Sequence, residues 1–336
     1  MSNPGKRIGS AALIDGWQSF WFRPEPMFAL GLVRMAFGAL MTGWTLSLLP
    51  DLFELFGVNG VAPRQPSRPF GWGVFEMMPS DHALLIGWCV LLVSSIAMTV
   101  GWHSRLAAAL VFVLVFSFQR RDPSVFNSGD ALIRLLALVL ALAPTGAACS
   151  LDRWRSGGSF WSAEVRAPWA IRLLQVELSL IYLASVRIKM AGELWPNGTA
   201  VSYALRLKDM LIMPTPHWLS ANALVVNAVT WGTLALELAI GVLVWNRRLR
   251  SWVLYAGVAM HLSIMVTIGI GFFSVAMFVL YLAFVPPDTV QRLPGVIRRR
   301  VRLLRRRSAE LRTSAPPQQE EAGAVVETDQ PLLRLT

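Results

Sequence analysis

Charge is scarce in this chain. Only 15% of its 336 residues are Asp, Glu, Lys or Arg while 54% are hydrophobic, whereas a soluble domain carries roughly a quarter charged residues. That balance excludes an ordinary soluble globular domain and indicates a membrane protein. Cysteine is scarcer still. Cys89 and Cys149 are the only two; they cannot build a disulfide framework, and both fall in or beside hydrophobic stretches where a thiol packs as a small apolar group. Of the four histidines, His82, His103 and His217 lie in loops without ligand-spaced partners, so no metal is expected. No CxxC pair, HExxH, phosphate-cradling glycine loop or Gly-x-Ser-x-Gly elbow occurs, which removes the usual redox, metalloprotease, nucleotide and hydrolase signatures. Internal repeats are also lacking, and with them the inverted-repeat mark of many transporters.

What the chain has is apolar length. A helix needs about 20 apolar residues to cross a bilayer, fewer when neighbours shield it. On that rule spans fall near 28–49, 83–101, 106–119, 131–149, 169–189, 222–245, 252–268 and 270–286. Only Gly269-Ile270-Gly271 separates the last two, so seven is the alternative count. The expected fold is therefore an all-α polytopic protein of about eight transmembrane helices, multi-pass in the cell membrane. Ahead of the first span, Ala12 to Phe22 sets Trp17, Phe20, Trp21 and Phe22 among polar residues, the pattern of an N-terminal helix lying in the interface. Pro4, Pro24 and Pro26 interrupt the region before Met27, so a cleaved signal peptide is not expected and the first span serves as the insertion signal.

Basic residues set the orientation, being enriched in cytoplasmic loops. With both termini cytoplasmic, the inner segments hold Lys6, Arg7 and Arg23, then Arg105, then Arg153, Arg155 and Arg166, then Arg247, Arg248 and Arg250. The outer ones hold only Arg64 and Arg68, Arg120 and Arg121, and Arg206 and Lys208. The net charge of +11 does not point to nucleic acid, because much of it lies in one run from Arg292 to Arg312 just after the last span, where a polybasic segment is drawn to anionic lipid. Ser314 to Gln330 has little to bury and reads as disordered. Three regions result: 1–27 with the interfacial helix, 28–286 as the transmembrane domain, and 287–336 as a basic, then acidic, disordered cytoplasmic tail.

Ionisable groups inside spans cost a few kcal/mol unless paired or wetted. Glu237 and His261 each lie nine residues from the inner ends of adjacent spans, at Asn246 and Trp252, so they can meet as a proton relay or as an ion pair joining two helices. Arg34 and Glu177 share the inner halves of their spans and read as a structural bridge. Arg134 stands one turn after Asn127-Ser128-Gly129-Asp130 and can reach the interface, as can Arg187. Lys189 differs. The chain has only three lysines, and an ammonium, unlike a guanidinium, can lose its proton, as a base must. Lys189 shares a helical face with Gln175, Tyr182 and Ser185, and its alternative is a snorkelling lysine at a helix end, with Trp195, Gly198 and Thr199 as an anchor and turn.

These residues resemble a family. Arg34 with Gly38, Asn127-Ser128-Gly129-Asp130 leading to Leu132 and Leu135-Leu136, Ser150-Leu151-Asp152, Tyr182 through Lys189 to Trp195 and Gly198-Thr199-Ala200, and His261 before Ile270-Gly271-Phe272-Phe273-Ser274 are similar to the horizontally transferred transmembrane (HTTM) domain. That domain is named for the membrane part of vitamin K-dependent gamma-glutamyl carboxylase, and the likeness covers roughly Phe20 to Pro286. It implies that Lys189 matches the carboxylase's weak base, activated as reduced vitamin K hydroquinone is oxygenated, with proton removal from glutamate on the lumenal side. Beside Lys189, Glu237 and His261 are the further catalytic candidates, and Tyr182, Trp195, Asn127 and Arg134 the candidate substrate-binding residues. Gly129 stands where the carboxylase loop has a histidine, and no counterpart of its large lumenal domain is evident, so carboxylation of peptide glutamates is not expected. Two functions remain: a membrane enzyme whose base is Lys189, acting on a lipid-soluble quinone or an exported peptide, or a non-catalytic partner in maturation or export of a secreted peptide. A proton-coupled transporter ranks third.

Overall fold

The structure, a computed structural model, describes residues 10–61 and 73–313. Lys6, Arg7, Arg64, Arg68 and the Ser314–Gln330 segment lie outside the described residues. Each of the eight apolar segments forms a helix: α2 (Phe28–Ser47), α5 (Asp81–Val100), α6 (Ser104–Arg121), α7 (Ser128–Leu142), α9 (Trp169–Ala191), α12 (Ala223–Leu243), α13 (Arg250–Thr267) and α14 (Phe273–Leu282). Shorter helices join them: α1 (Ser10–Phe22), α3 (Leu52–Phe56), α4 (Val74–Met77), α8 (Leu151–Arg155), α10 (Ala200–Ala204) and α11 (His217–Ala221), with a last helix, α15 (Pro287–Thr313). Two short strands, β1 (Glu25–Pro26) and β2 (Val165–Arg166), pair antiparallel.

Among the described residues, four helices can cross a membrane by length and composition: α2, α5, α9 and α12, with a fifth if Phe273–Leu282 and Pro287–Val296 count as one broken span. Two of the expected segments are cut back by identifiable chemistry. Pro144 follows directly on Ala143, and α7 stops at Leu142 rather than continuing to 149. Before Pro286-Pro287 the backbone tightens, with Ala283, Phe284 and Val285 each donating to the carbonyl three residues back, so α14 ends at Leu282. The expected disorder from 287 onwards gives way to a helix as far as Thr313. By contact, Arg292–Thr336 forms its own unit, separate from Met1–Gln291.

Helix starts are set by side chains that take up otherwise orphaned N–H groups. Ser80 accepts from Ala83 N at 3.1 Å at the head of α5, and Asn222 accepts from Leu224 N and Val225 N at the head of α12. At α7, Asn127 accepts from Gly129 N at 2.7 Å while Asp130 accepts from Asn127 N at 2.9 Å, a reciprocal cap. Asp130 also receives Trp44 Nε1 at 2.9 Å, which fastens α2 to the same corner.

The core gathers on α2, whose Val33, Phe37 and Met41 are fully buried. Close approach depends on small residues. A Cβ on Gly38 would meet the Thr99 backbone nitrogen at 2.6 Å and its Cα at 2.8 Å, and one on Gly31 would meet the Ala148 carbonyl oxygen at 2.8 Å. Cys149 is buried as expected, but Cys89 is exposed. It lies on the outer face of α5 with Ile86 and Val93, a face suited to lipid tails, so apolarity there reports the solvent and not a packed core.

Arg34 is fully buried and does not bridge to Glu177. Its guanidinium donates to the carbonyls of Met98 and Thr99, in the last turn of α5, and to the carbonyl of Cys149. Terminal carbonyls carry the negative end of a helix dipole, so they take a cation as a carboxylate would. Glu177 keeps a buried Oε1 with no hydrogen-bond partner. Next to the Arg34 junction, Asp152 accepts His103 N at 2.8 Å and Ser104 N at 2.7 Å, capping α6 and holding His103 at its positive φ of 44°. Burial pushes the Asp152 carboxyl up, yet the bonds from Ser104 and His103 outweigh it and hold the group below the ordinary range.

Candidate functional site

One polar cluster stands inside the apolar bundle, and α9 organises it. Tyr182, Ser185 and Lys189 recur at spacings of three and four, so they rise along one face. On α12, Glu237 forms an ion pair with Lys189 Nζ and accepts a hydrogen bond from Ser185 Oγ at 3.1 Å. The Glu237 side chain is 8% exposed and that of Lys189 22%, so the lysine is the more accessible partner of the pair.

The turn after α9 closes over that amine. Thr199 N donates to Leu194 O at 2.9 Å, Gly198 N to Trp195 O at 3.0 Å, and Gly198 takes a left-handed φ of 69°, which glycine adopts without strain. The turn folds Trp195 back so that Lys189 Nζ is 4.4 Å from its ring centroid, a cation–π distance. Lys189 also occupies the last turn of α9, where the helix dipole favours its charge.

One turn deeper, Tyr182 Oη meets His261 Nε2 at 2.9 Å and also hydrogen-bonds Tyr281 Oη. His261 Nδ1 is 3.2 Å from Ser274 Oγ. The rings of Phe273 and Phe278 stand edge-on to the imidazole at 5.7 and 6.0 Å. Both imidazole nitrogens are therefore engaged in a buried pocket, and the chain Ser274–His261–Tyr182–Tyr281 can pass a proton by reversing its donors without creating net charge.

Glu237 and His261 thus do not pair with each other. α9 places a side chain in front of each: Lys189 for the carboxylate and, deeper, Tyr182 for the imidazole. Gln175, on the same face of α9, donates instead to Ala283 O at 2.8 Å, at the far end of the helix. Arg134 lies 5.9 Å from the Phe116 ring and Asn127 caps α7; neither contacts the Lys189 cluster. Arg187 is exposed. Tyr281 escaped notice in the sequence, although it falls seven residues after Ser274 and thus on the same helical face. Among the described residues, no group of three His, Cys, Asp or Glu side chains is placed to hold a metal ion.

A family model described as the HTTM domain matches residues 22–289. The chain belongs to the HTTM domain family. That match begins at the end of α1 and stops just inside α15, so the whole polar cluster lies within the HTTM domain, and with its apolar helices the chain is a membrane protein. No curated protein and no solved structure matches the chain.

Proposed function

We propose that this HTTM domain is a membrane-embedded proton-transfer enzyme in which Lys189 is the base, working at the outward face on a weakly acidic substrate: a lipid-soluble quinol or an exported peptide. One observation carries the reading. Among the described residues, the only lysine inside the bundle is held between a buried carboxylate and an aromatic ring, with its side chain partly exposed. In a low-dielectric site a charged pair and its neutral form, amine beside carboxylic acid, differ by one proton hop along an existing hydrogen bond. The neutral amine takes a proton from the substrate and becomes ammonium, and the proton on Glu237 is free to leave or return. Ser185 keeps Glu237 oriented through the cycle.

The quinone that the family resemblance implies can be set against the apolar groove formed by Ala36, Leu40, Gly43, Phe272, Val275 and Phe278 with their neighbours. All its lining residues are apolar. It suits a lipid tail, but it offers no side-chain donor or acceptor for ring oxygens, so a quinone head does not fit there.

The same pair supports a second reading, because Lys189 to Glu237 also ties α9 to α12. A clamp of that kind serves a non-catalytic partner in maturation or export of a secreted peptide. Lys189→Arg separates the two, since it keeps charge and reach but removes the neutral form. An enzyme loses the phenotype of the intact gene while the variant inserts and accumulates normally; full rescue by Arg rejects the base and favours the partner role. The proposal also includes all eight long helices as spans with both ends cytoplasmic, on the loop charges, and the Arg292–Arg312 run as an anchor on anionic lipid.

A further inference from the structure

The end of the bundle opposite Lys189 holds a cavity of about 870 Å³. Its mouth carries Arg172 from the first turn of α9, Arg247 from the turn before α13, and Arg250 at the head of α13. Against these three guanidiniums stands one carboxylate, Glu25, and it is committed to Arg172, with Oε2 3.1 Å from Nη2. No described carboxylate lies within ion-pair distance of Arg247 or Arg250. Arg250 uses one nitrogen on the Val244 carbonyl, at 2.9 Å, and spreads its plane near Phe284, 5.6 Å from the ring centroid. Arg172 and Arg247 both repel it. Crowded like charges inside a cavity are a standing attraction for an anion.

Further in, the lining becomes mostly apolar, apart from Tyr255 and from Gln175 and Tyr281, whose polar ends are bonded to Ala283 O and Tyr182 Oη. Leu254 and Val258 follow Arg250 at one and two turns along α13, and Ile171, Leu30 and Leu282 face in from α9, α2 and α14. From Arg250 to Val258 the wall runs ~12 Å along the helix. Trp245 and Phe20 flank the opening, their rings 5.9 Å apart, as aromatic residues do at a membrane interface. A charged mouth over an apolar shaft between membrane helices matches a molecule with an anionic head and a hydrocarbon tail.

We infer that this cavity binds an anionic phospholipid, with its phosphate at Arg247 and Arg250 and one acyl chain lying along Leu254 and Val258. The site is separate from Lys189, so it stands or falls independently of the proposed proton chemistry. It also differs from the Arg292–Arg312 segment, which has basic residues but belongs to another unit.

The test uses the full chain, purified in neutral detergent and examined by native mass spectrometry with equal amounts of phosphatidylglycerol and phosphatidylcholine of the same chain length. Wild-type protein retains phosphatidylglycerol about thirtyfold more, the scale set by two basic groups meeting an anionic head at roughly 1 kcal/mol each. The R247Q/R250Q variant loses most of that preference, while R299Q/R300Q/R302Q in the basic segment keeps it. Equal retention of the two lipids by wild-type protein overturns the inference with no variant needed. So does a preference that survives R247Q/R250Q and vanishes in the basic-segment variant. Displacement of phosphatidylglycerol by excess inorganic phosphate would mean that a free anion, not a lipid, is the ligand.

Discussion

Replacing Arg34 with Met should destabilise the protein more than any other removal of a single span arginine. The guanidinium is wholly buried and makes three bonds to backbone carbonyls, two in the last turn of α5 and one at Cys149. A hydrogen bond to a charged group contributes about 1.5–3 kcal/mol, so the three sum to roughly 5–9 kcal/mol gross. Met offsets part of this because it removes the cost of burying a charge, several kcal/mol in its own right. The Met98 carbonyl also keeps a bond from Gly101 N. A net loss of about 2–4 kcal/mol remains, which at about 2–4 °C per kcal/mol lowers the apparent melting temperature by roughly 4–16 °C. Size-exclusion melting curves in one detergent measure it. Arg34→Lys should melt close to the Met variant, because a single ammonium cannot span carbonyls on two segments as a planar fork does. Arg134→Met, which loses only a contact with the Phe116 ring, is the control and should cost less than about 1 kcal/mol. If Arg34→Met melts within about 2 °C of wild type, the guanidinium is not the staple described.

Three further outcomes follow from the geometry. Gly38→Ala drives a methyl into the Thr99 backbone and should separate α2 from α5 at a cost of about 1–3 kcal/mol, read as lower yield and earlier melting. Asp152 has its folded value below its unfolded one, so its contribution is complete above the ordinary aspartate value and is lost as pH falls through the depressed one. Melting should therefore hold steady from neutral pH to about 5 and drop below about 4, and Asp152→Asn should flatten part of that drop. Reporter fusions at Gly60, Asp122 and Asn197 should read outside, with those at Arg105, Gly157 and Arg248 inside; two or more reversals would overturn the eight-span topology.

The helices were legible because apolar length is a one-dimensional signal, and every segment that exceeds it forms a helix here. Side-chain pairing was not legible to the same degree. Counting residues from a span end fixes height, which put Glu237 level with His261 and Arg34 level with Glu177. Height leaves rotation about the helix axis free, and only packing sets it. The face of α9 carrying Tyr182, Ser185 and Lys189 was readable since spacing along one helix includes rotation. Which neighbour that face meets was not, so Lys189 took the carboxylate and Tyr182 the imidazole. Arg34 escaped for another reason: its partners are backbone carbonyls, which every residue has and no sequence distinguishes.

The loop between α9 and α12 is stitched to the end of α13. Ile212 N donates to Thr267 O at 3.0 Å and Gly269 N to Met210 O at 2.7 Å, with Leu211 and Ile268 bridged between them. Thr267 closes α13, six residues beyond His261, or ~9 Å along the axis. The loop is consequently anchored through its backbone to the helix that holds His261 against Tyr182, so a displacement of Met210–Ile212 would strain the last turn of that helix first.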